Sequence, residues 1–174
     1  DLMMDNERLL RSLPFLKDVR IIITPRPLNT DIVDVLVLTQ DVFSIGFTGE
    51  IGNIKKGEVG FYDKNILGVG HEWGTTIVGH TDETPHVGFE TYYSVNNILG
   101  KFINFSSAYA NTYLREGFYV SLERDFLRPQ SVYAGGLTVL RSFRIDKIYP
   151  NDQVTSDSTL NYIYLDSWYG RKLA

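Results

Sequence analysis

The four residues Asn65-Ile66-Leu67-Gly68 return as Asn97-Ile98-Leu99-Gly100, 32 positions later, and alternating apolar and polar runs flank both copies. That interval is too short for a domain and fits one up-and-down pair of strands of about 10 residues with their turns. Further turn signals, Arg128-Pro129-Gln130-Ser131 and Asp166-Ser167-Trp168-Tyr169-Gly170, fall near the next two multiples. The pattern predicts successive hairpins with these turns on one rim.

From Val42 onward the alternation is sustained. Phe43, Ile45, Phe47 and Ile51 fall on one side of a strand, with Ser44, Gly46, Thr48 and Glu50 on the other. Six later runs repeat the scheme, among them Trp73-Thr75-Ile77, Val87-Phe89, Ile103-Phe105, Phe118-Val120-Leu122 and Leu137-Val139, with Gly, Ser, Thr and Glu between the large residues. A soluble sandwich also alternates, so both a membrane barrel and a soluble sandwich or lipocalin-like barrel stay open on this pattern. Two features favour the membrane. Runs near 10 residues exceed the usual strand length of about 5–6. Aromatics gather at run ends (Tyr62, Trp73, Tyr113, Phe126, Tyr133, Phe143, Trp168), as interfacial girdles do.

The loops sort by side. Turns at 64–70, 96–101, 128–131 and 166–170 make one rim. Gly52–Gly57, Thr81–Pro85, Tyr113–Gly117 and a long polar loop over Asp146–Thr159 make the other. Short turns opposite longer polar loops is the asymmetry of outer-membrane barrels.

Before Val42 the periodicity is different. Leu9, Leu10, Leu13 and Leu16 have helical spacing within 5–16, and Pro14 should end that helix. Asp18 to Thr24 reads as a strand stopped by Pro25 and Pro27, Asn29-Thr30-Asp31 as a turn, and Ile32 to Thr39 as a second strand. Residues 1–41 are thus expected to form a small α+β unit, and 42–174 the first strands of a barrel. The unit is too small for a secure core and is expected to continue upstream of Asp1.

Composition narrows function. Aromatics make up 13% of the chain and 15 glycines accompany them, a mixture that suits strands and tight turns. The net charge is −4 and no basic run exceeds two residues, so no nucleic-acid partner is expected. Without cysteine there is neither a disulfide framework nor a thiolate metal site. No apolar run approaches the roughly 18 residues of a membrane helix, a limit that leaves transmembrane strands open. Asp1 and a strand-like run near the C-terminus suggest a segment of a longer protein.

Catalytic chemistry finds little support. No nucleophile elbow, zincin motif or P-loop is present. His71 and Glu72 are adjacent in a strand and so face opposite ways. His80 and His86 flank an acidic turn, better read as a solvated loop than as a metal site. Gly68-x-Gly70 lacks the helix a dinucleotide loop needs. Glu50, Glu58, Glu90 and Glu123 share one face, which a hydrated lumen explains more simply than paired-carboxylate catalysis. No enzyme activity, metal or cofactor is expected.

At these residues the chain resembles a known family. Leu9-Leu10-Arg11-Ser12-Leu13-Pro14-Phe15-Leu16-Lys17-Asp18-Val19-Arg20 is similar to the last helix and second strand of a POTRA domain, with Asp31 to Leu38 as its final strand. Phe43 to Gly70 resembles the start of an Omp85-superfamily barrel (BamA/TamA-like, surface antigen D15). There a glycine-containing first strand is followed by one ending in an Asn-Leu-Leu-Gly-x-Gly-like periplasmic turn; here it reads Asn65-Ile66-Leu67-Gly68-Val69-Gly70. Tyr133-Ala134-Gly135-Gly136 and Asp166-Ser167-Trp168-Tyr169-Gly170-Arg171 look like strand and turn motifs of Bacteroidetes-type members. Such barrels have about sixteen strands, so the resemblance implies the end of a POTRA domain and a partial, antiparallel up-and-down transmembrane β-barrel of about eight strands. The family's late-barrel lid motif is absent.

The resemblance implies an outer-membrane assembly or translocation factor, an insertase or exporter working by β-strand augmentation of client polypeptides, with its N-terminal unit in the periplasm. Its partners would be unfolded outer-membrane or exported clients, periplasmic chaperones or accessory lipoproteins, and the lipid bilayer. Phe43, Ile45, Gly46, Phe47, Gly49 and Ile51 would form the seam that receives clients. Asn65, Leu67, Gly68, Gly70, Asn97, Leu99 and Gly100 would make periplasmic turns. An exposed edge at 18–24 or 32–39 is a second candidate for strand addition. The glycines at 46, 49 and 52 could equally serve only to bend the barrel wall. Two alternatives remain: a barrel of this type that anchors or exports a fused enzyme such as a patatin-like lipase, and a soluble β-sandwich or barrel that binds a small molecule or surface partner.

Overall fold

Leucines at helical spacing and the β-branched run behind them give two different local structures at the start of the chain. The computed structural model describes residues 2–11, 13–26, 29–113, 115–126, 131–148 and 156–173. Helix α1 (Leu2–Arg11) precedes β1 (Leu16–Arg26) and β2 (Asn29–Asp41), which pair antiparallel. The helix lies further toward the N-terminus than the expected span of 5–16. It ends at Arg11, and Pro14 occupies the turn into β1, because proline has no N–H for a helical bond. Asn29-Thr30-Asp31, expected as a turn, already belongs to β2; the link at 27–28 lies outside the described residues.

Side chains of α1 occupy the outer edge of β1. The Arg11 Nε donates to the Val19 carbonyl at 3.0 Å, and the Ile21 amide donates to Glu7 Oε2 at 3.2 Å. Glu7 and Arg11 pair one helical turn apart at 2.9 Å, and Arg11 also reaches Asp18 at 3.3 Å. Val19 is fully buried. An exposed pair of this kind contributes little alone, but the two backbone bonds cover part of the edge a third strand would need.

The alternating runs after Val42 form β3 (Ile45–Asn53), β4 (Lys56–Ile66), β5 (His71–His80), β6 (Val87–Val95), β7 (Ile103–Asn111), β8 (Arg115–Arg124), β9 (Tyr133–Ile148) and β10 (Ser156–Arg171). They make one antiparallel sheet in chain order, each strand paired with the next. The chain is therefore mainly β, with the up-and-down connectivity that the alternation implied. β3 and β10 do not pair with each other, so the sheet is open.

Two expected loops are corrected. Asp166-Ser167-Trp168-Tyr169-Gly170 is not a turn but the end of β10, paired residue for residue with Ala134 to Thr138. The polar stretch 146–159 is strand at both ends. β9 runs to Ile148 and β10 starts at Ser156, because a hairpin can extend wherever both chains keep the ladder register. Residues 149–155, between them, lie outside the described residues, as do 128–130 of the expected 128–131 turn.

Register places the residues on two faces. One face carries Phe47, Phe61, Val59, Ile77, Phe89, Tyr109, Phe118, Val120, Leu122, Leu137, Val139 and Leu165. The other carries Gly, Ser, Thr and Glu, crossed by one row that spans all eight strands: Gly46, Tyr62, Gly74, Tyr92, Ala108, Tyr119, Leu140, Tyr164. The rings of Tyr62 and Tyr92 lean onto Gly46 and Gly74, where any Cβ would collide with them. Trp168 lies in the same way on Gly136. Tyr62 and Trp168, expected in the girdles, thus belong to the polar face, where their rings cover neighbouring glycines. Tyr113 is also withdrawn from the girdle, buried with its ring 4.7 Å from that of His80.

A folded water-soluble monomer of this mass exposes about 8,600 Å²; this chain exposes 12,638 Å². Phe47, Ile51, Val59, Val87, Ile163 and Leu165 all remain mostly exposed. Among the described residues the buried apolar side chains are only Val19, Val78, Tyr113 and Ala134. The sheet has an apolar surface rather than a core.

Candidate functional site

The Asn-Ile-Leu-Gly repeat is a structural repeat. In the first turn the Gly68 amide donates to the Asn65 carbonyl at 2.9 Å, and the Gly70 amide to Asn65 Oδ1 at 2.7 Å. In the second, the Gly100 amide donates to the Asn97 carbonyl at 3.0 Å, and the Phe102 amide to Asn97 Oδ1 at 2.9 Å. Left-handed residues also fall at matching positions: Leu67 (φ 53°) with Leu99 (52°), Gly68 (75°) with Gly100 (70°), Gly70 (76°) with Phe102 (59°). The Asn backbone carbonyl reaches the amide three residues downstream, and its carboxamide oxygen the amide five residues downstream, because the chain curls through these left-handed steps. Asn65, Leu67, Gly68, Gly70, Asn97, Leu99 and Gly100 therefore make two equivalent turns on one rim.

β3 is the outer strand that holds the expected seam. The Lys64 amide donates to the Ser44 carbonyl at 2.8 Å, which sets the phase of the ladder. Since bonded and non-bonded pairs alternate in an antiparallel ladder, the peptide groups of Ser44, Gly46, Thr48 and Glu50 face β4. Those of Ile45, Phe47, Gly49 and Ile51 face outward, with no strand beside them. Phe43 lies just before the strand and is almost fully exposed. The three glycines of this segment separate by cause. Gly46 is required by the Tyr62 ring, whereas Gly49 and Gly52 have room for a side chain, their nearest non-neighbour atoms at 3.8 Å and 3.6 Å. Ring packing thus accounts for the first only.

The second proposed augmentation edge is half withdrawn. At 18–24 the outward groups of Val19 and Ile21 are taken by α1; along 32–39 β2 has no strand on its outer side.

Polar atoms on the two faces are handled differently. On the apolar face the Trp73 Nε1 donates to Thr91 Oγ1 at 2.9 Å, and that hydroxyl donates to the Gly74 carbonyl at 2.9 Å. The Thr75 hydroxyl donates to the Glu90 carbonyl at 3.1 Å, and the Tyr93 hydroxyl meets His71 Nδ1 at 2.7 Å. On the polar face Glu72 accepts from the Tyr92 hydroxyl at 3.0 Å, Arg115 grips Glu90 through Nε and Nη2, and Ser121 meets Thr138 at 3.0 Å. Glu50 and Glu58 stand directly opposite each other there, a like-charge pairing that water must screen. The shared face of Glu50, Glu58, Glu90 and Glu123 matches the sequence reading, as do the opposed faces of His71 and Glu72.

A depression of about 340 Å³ opens over Ala108, Ala110 and Gly117, bounded by Tyr92, Tyr119 and the Glu90–Arg115 pair. Sequence reasoning missed this feature and the tyrosine row; the signal was present as Tyr at the small-residue positions of alternate strands. Among the described residues no group of three or more His, Cys, Asp or Glu side chains could hold a metal ion. Among the described residues no helix is long and apolar enough to cross a membrane, which says nothing of strands. No family model matches the chain, and no curated protein matches it.

Proposed function

We propose that this chain is part of an outer-membrane assembly or translocation factor of the Omp85 type. In this reading α1, β1 and β2 are the membrane-proximal end of a periplasmic POTRA unit, and β3 to β10 are a wall of a transmembrane barrel. The Asn65 and Asn97 turns lie on its periplasmic rim. β3 receives unfolded outer-membrane or exported clients by strand augmentation, with periplasmic chaperones or accessory lipoproteins delivering them. No cofactor and no covalent step enter.

The observation that carries the reading is the apolar face with its own polar atoms bonded internally. Water would satisfy Thr75, Thr91 and Trp73 at no structural expense; hydrocarbon cannot, so each such group must find a partner within the wall. The height agrees. Between Arg124 and Glu116 on the apolar face of β8 lie only Leu122, Val120, Phe118 and the intervening residues of the other face. Those eight steps span about 27 Å along the strand. A tilt of about 40° brings this to roughly 20 Å, near the apolar band of outer-membrane barrels. An unpaired strand end-on to such a wall offers four outward peptide groups at Ile45, Phe47, Gly49 and Ile51 to an incoming chain.

The first test is membrane partition with heat-modifiable gel mobility: outer-membrane residence and a mobility shift are expected, and a soluble, unshifted product would end the reading. The second separates seam from wall. Gly49→Pro removes an outward N–H and should keep the mobility shift while abolishing crosslinks between β3 and a client strand. Thr48→Pro removes a bond to β4 and should weaken the fold itself. Undiminished client crosslinking in Gly49→Pro would exclude augmentation at β3.

A further inference from the structure

Among the described residues, two arginines on the apolar face, Arg124 and Arg171, make no ion pair with a carboxylate. Arg124 ends β8 opposite Gly135 of β9, which in turn stands opposite Tyr169 of β10. Directly opposite residues share a face, so Arg124 and Tyr169 flank the bare backbone of Gly135, their own backbones about 10 Å apart across two strand spacings. A Cβ at Gly135 would meet the Trp168 carbonyl at 3.1 Å, and the nearest side-chain atom is Tyr169 Cδ2 at 4.0 Å, so the bare glycine leaves a shallow notch between Arg124 and Tyr169. Two residues nearer the rim, Tyr133 and Arg171 are opposite each other. Tyr133 stacks on Tyr169 (6.2 Å, 27°), and the Arg171 guanidinium lies 5.8 Å from the Tyr133 ring centre.

Among the described residues the charge of this cluster has no ion-pair partner on its own face. Glu123 and Asp166, the nearest strand carboxylates in sequence, belong to the polar face. Arg124 Nε is screened from solvent and has no hydrogen-bond partner among the described residues. With Nε closed off, the terminal guanidinium nitrogens are the atoms an anion would meet, and its charge would offset the cost of the unpartnered N–H. The cluster sits at the end of the apolar band on the side of the Asn65 and Asn97 turns, where cationic and aromatic side chains border a bilayer.

We infer that the notch over Gly135 is a binding site for the phosphate of a phospholipid headgroup, held by Arg124 and Arg171 and bordered by the Tyr133–Tyr169 stack. Guanidinium forks match phosphate oxygens bidentately. The tyrosine rings lie at the level where acyl chains give way to headgroups, and the apolar surface of Leu122 and Leu137 continues from the notch for the chains. The inference rests on the membrane reading above, because only a bilayer puts headgroup and acyl chain at adjacent heights of one face.

The test compares the membrane-extracted protein with its R124Q/R171Q and R124K/R171K variants, all exchanged into a phosphate-free nonionic detergent. Retained phospholipid is counted by native mass spectrometry, and folding is read from heat-modifiable mobility. The wild type should keep phospholipid that the glutamine variant loses by about tenfold, and the lysine variant should fall between them. Added inorganic phosphate should leave the lipid in place. Equal retention in wild type and R124Q/R171Q, both with normal mobility shifts, would overturn the headgroup site alone. Release by inorganic phosphate would also overturn it, showing a simple anion site. If the wild type neither enters the membrane fraction nor shifts on heating, the membrane reading itself fails, and this site with it.

Discussion

The ring of Phe15 lies against Gly70: a Cβ at residue 70 would stand 2.9 Å from Phe15 Cε1. This contact explains an asymmetry in the repeat. Both turns need a left-handed residue five positions after Asn, and the second manages with Phe102 at φ 59°. The first has glycine there because the segment joining α1 to β1 docks on it. The Val42 amide, donating to the Phe15 carbonyl at 3.1 Å, fixes the same junction from the other side. Gly70 is thus where the N-terminal unit meets the rim of the sheet.

Gly70→Ala should therefore cost about 1–2 kcal/mol for the left-handed backbone, and more for the displaced ring. Removing the ring as well, in a Phe15→Ala/Gly70→Ala double variant, should return the second part, giving a coupling of about 0.5–3 kcal/mol. Urea titration of the folded, heat-modifiable form measures this. Strict additivity of the two changes would show that the contact carries no energy.

The paired asparagines predict unequal effects of equal substitutions. Asn65→Ala and Asn97→Ala each remove an acceptor for one turn amide, at about 1 kcal/mol. Asn97 is itself left-handed (φ 56°), whereas Asn65 is not among the positive-φ residues. Asn97→Ala should therefore be the worse by about a further 1 kcal/mol, and Asn97→Gly should recover that increment. Urea midpoints for the three variants decide it; an Asn65→Ala variant as damaged as Asn97→Ala would contradict the backbone argument.

Much of this sheet was legible because a period of two fixes faces without reference to any tertiary contact. Phe47, Ile77 and Val120 declare their face locally, and the Asn-Ile-Leu-Gly copies declare their turns through residues that tolerate left-handed backbone. The misread stretches depend on partners distant in sequence. Asp166-Ser167-Trp168-Tyr169-Gly170 has turn composition, yet it is held as strand by Ala134 to Thr138, some thirty residues away. The polar loop 146–159 likewise shortens because β9 and β10 stay in register. Tyr62 looked like a girdle residue because nothing local shows that Gly46 lies under its ring. The covering of the β1 edge by Glu7 and Arg11 was hidden for the same reason.

The tyrosine–glycine row separates packing glycines from edge glycines. Gly46→Ala and Gly74→Ala drive a methyl into the Tyr62 and Tyr92 rings and should destabilise by about 1–3 kcal/mol as overpacking. Gly49→Ala meets nothing closer than the Glu58 carbonyl at 3.8 Å and should be neutral or slightly stabilising. If β3 is the seam, that same variant should slow client assembly while the urea midpoint holds or rises, since a stiffer edge exchanges partners less readily. Unchanged assembly with a raised midpoint would separate the glycine from the seam.

On the opposite rim, the Lys55 ammonium bonds the Asp82 carboxylate and ties the β3–β4 turn to the β5–β6 loop. The Asp82 carboxyl is held below its ordinary range, first by the hydrogen bond from Lys55 and then by that from the Thr81 hydroxyl, and Lys55 is raised in return by its hydrogen bond to Asp82. A carboxyl depressed on folding stabilises above its unfolded value and loses that contribution as pH falls through the folded one. A lysine raised on folding stabilises below its unfolded value and loses it as pH rises through the folded one. The tie should hold across the neutral range and loosen only in acid, below about pH 4, or in alkali, above about pH 10. The Thr81 amide, which donates to the Lys55 carbonyl at 2.9 Å, reports on it directly. After correction for intrinsic exchange rates, its hydrogen-exchange protection should fall between neutral pH and about pH 3 in the wild type. In Lys55→Met the protection should already be low at neutral pH and change little; an acid-labile amide in that variant would assign the titration to another pair.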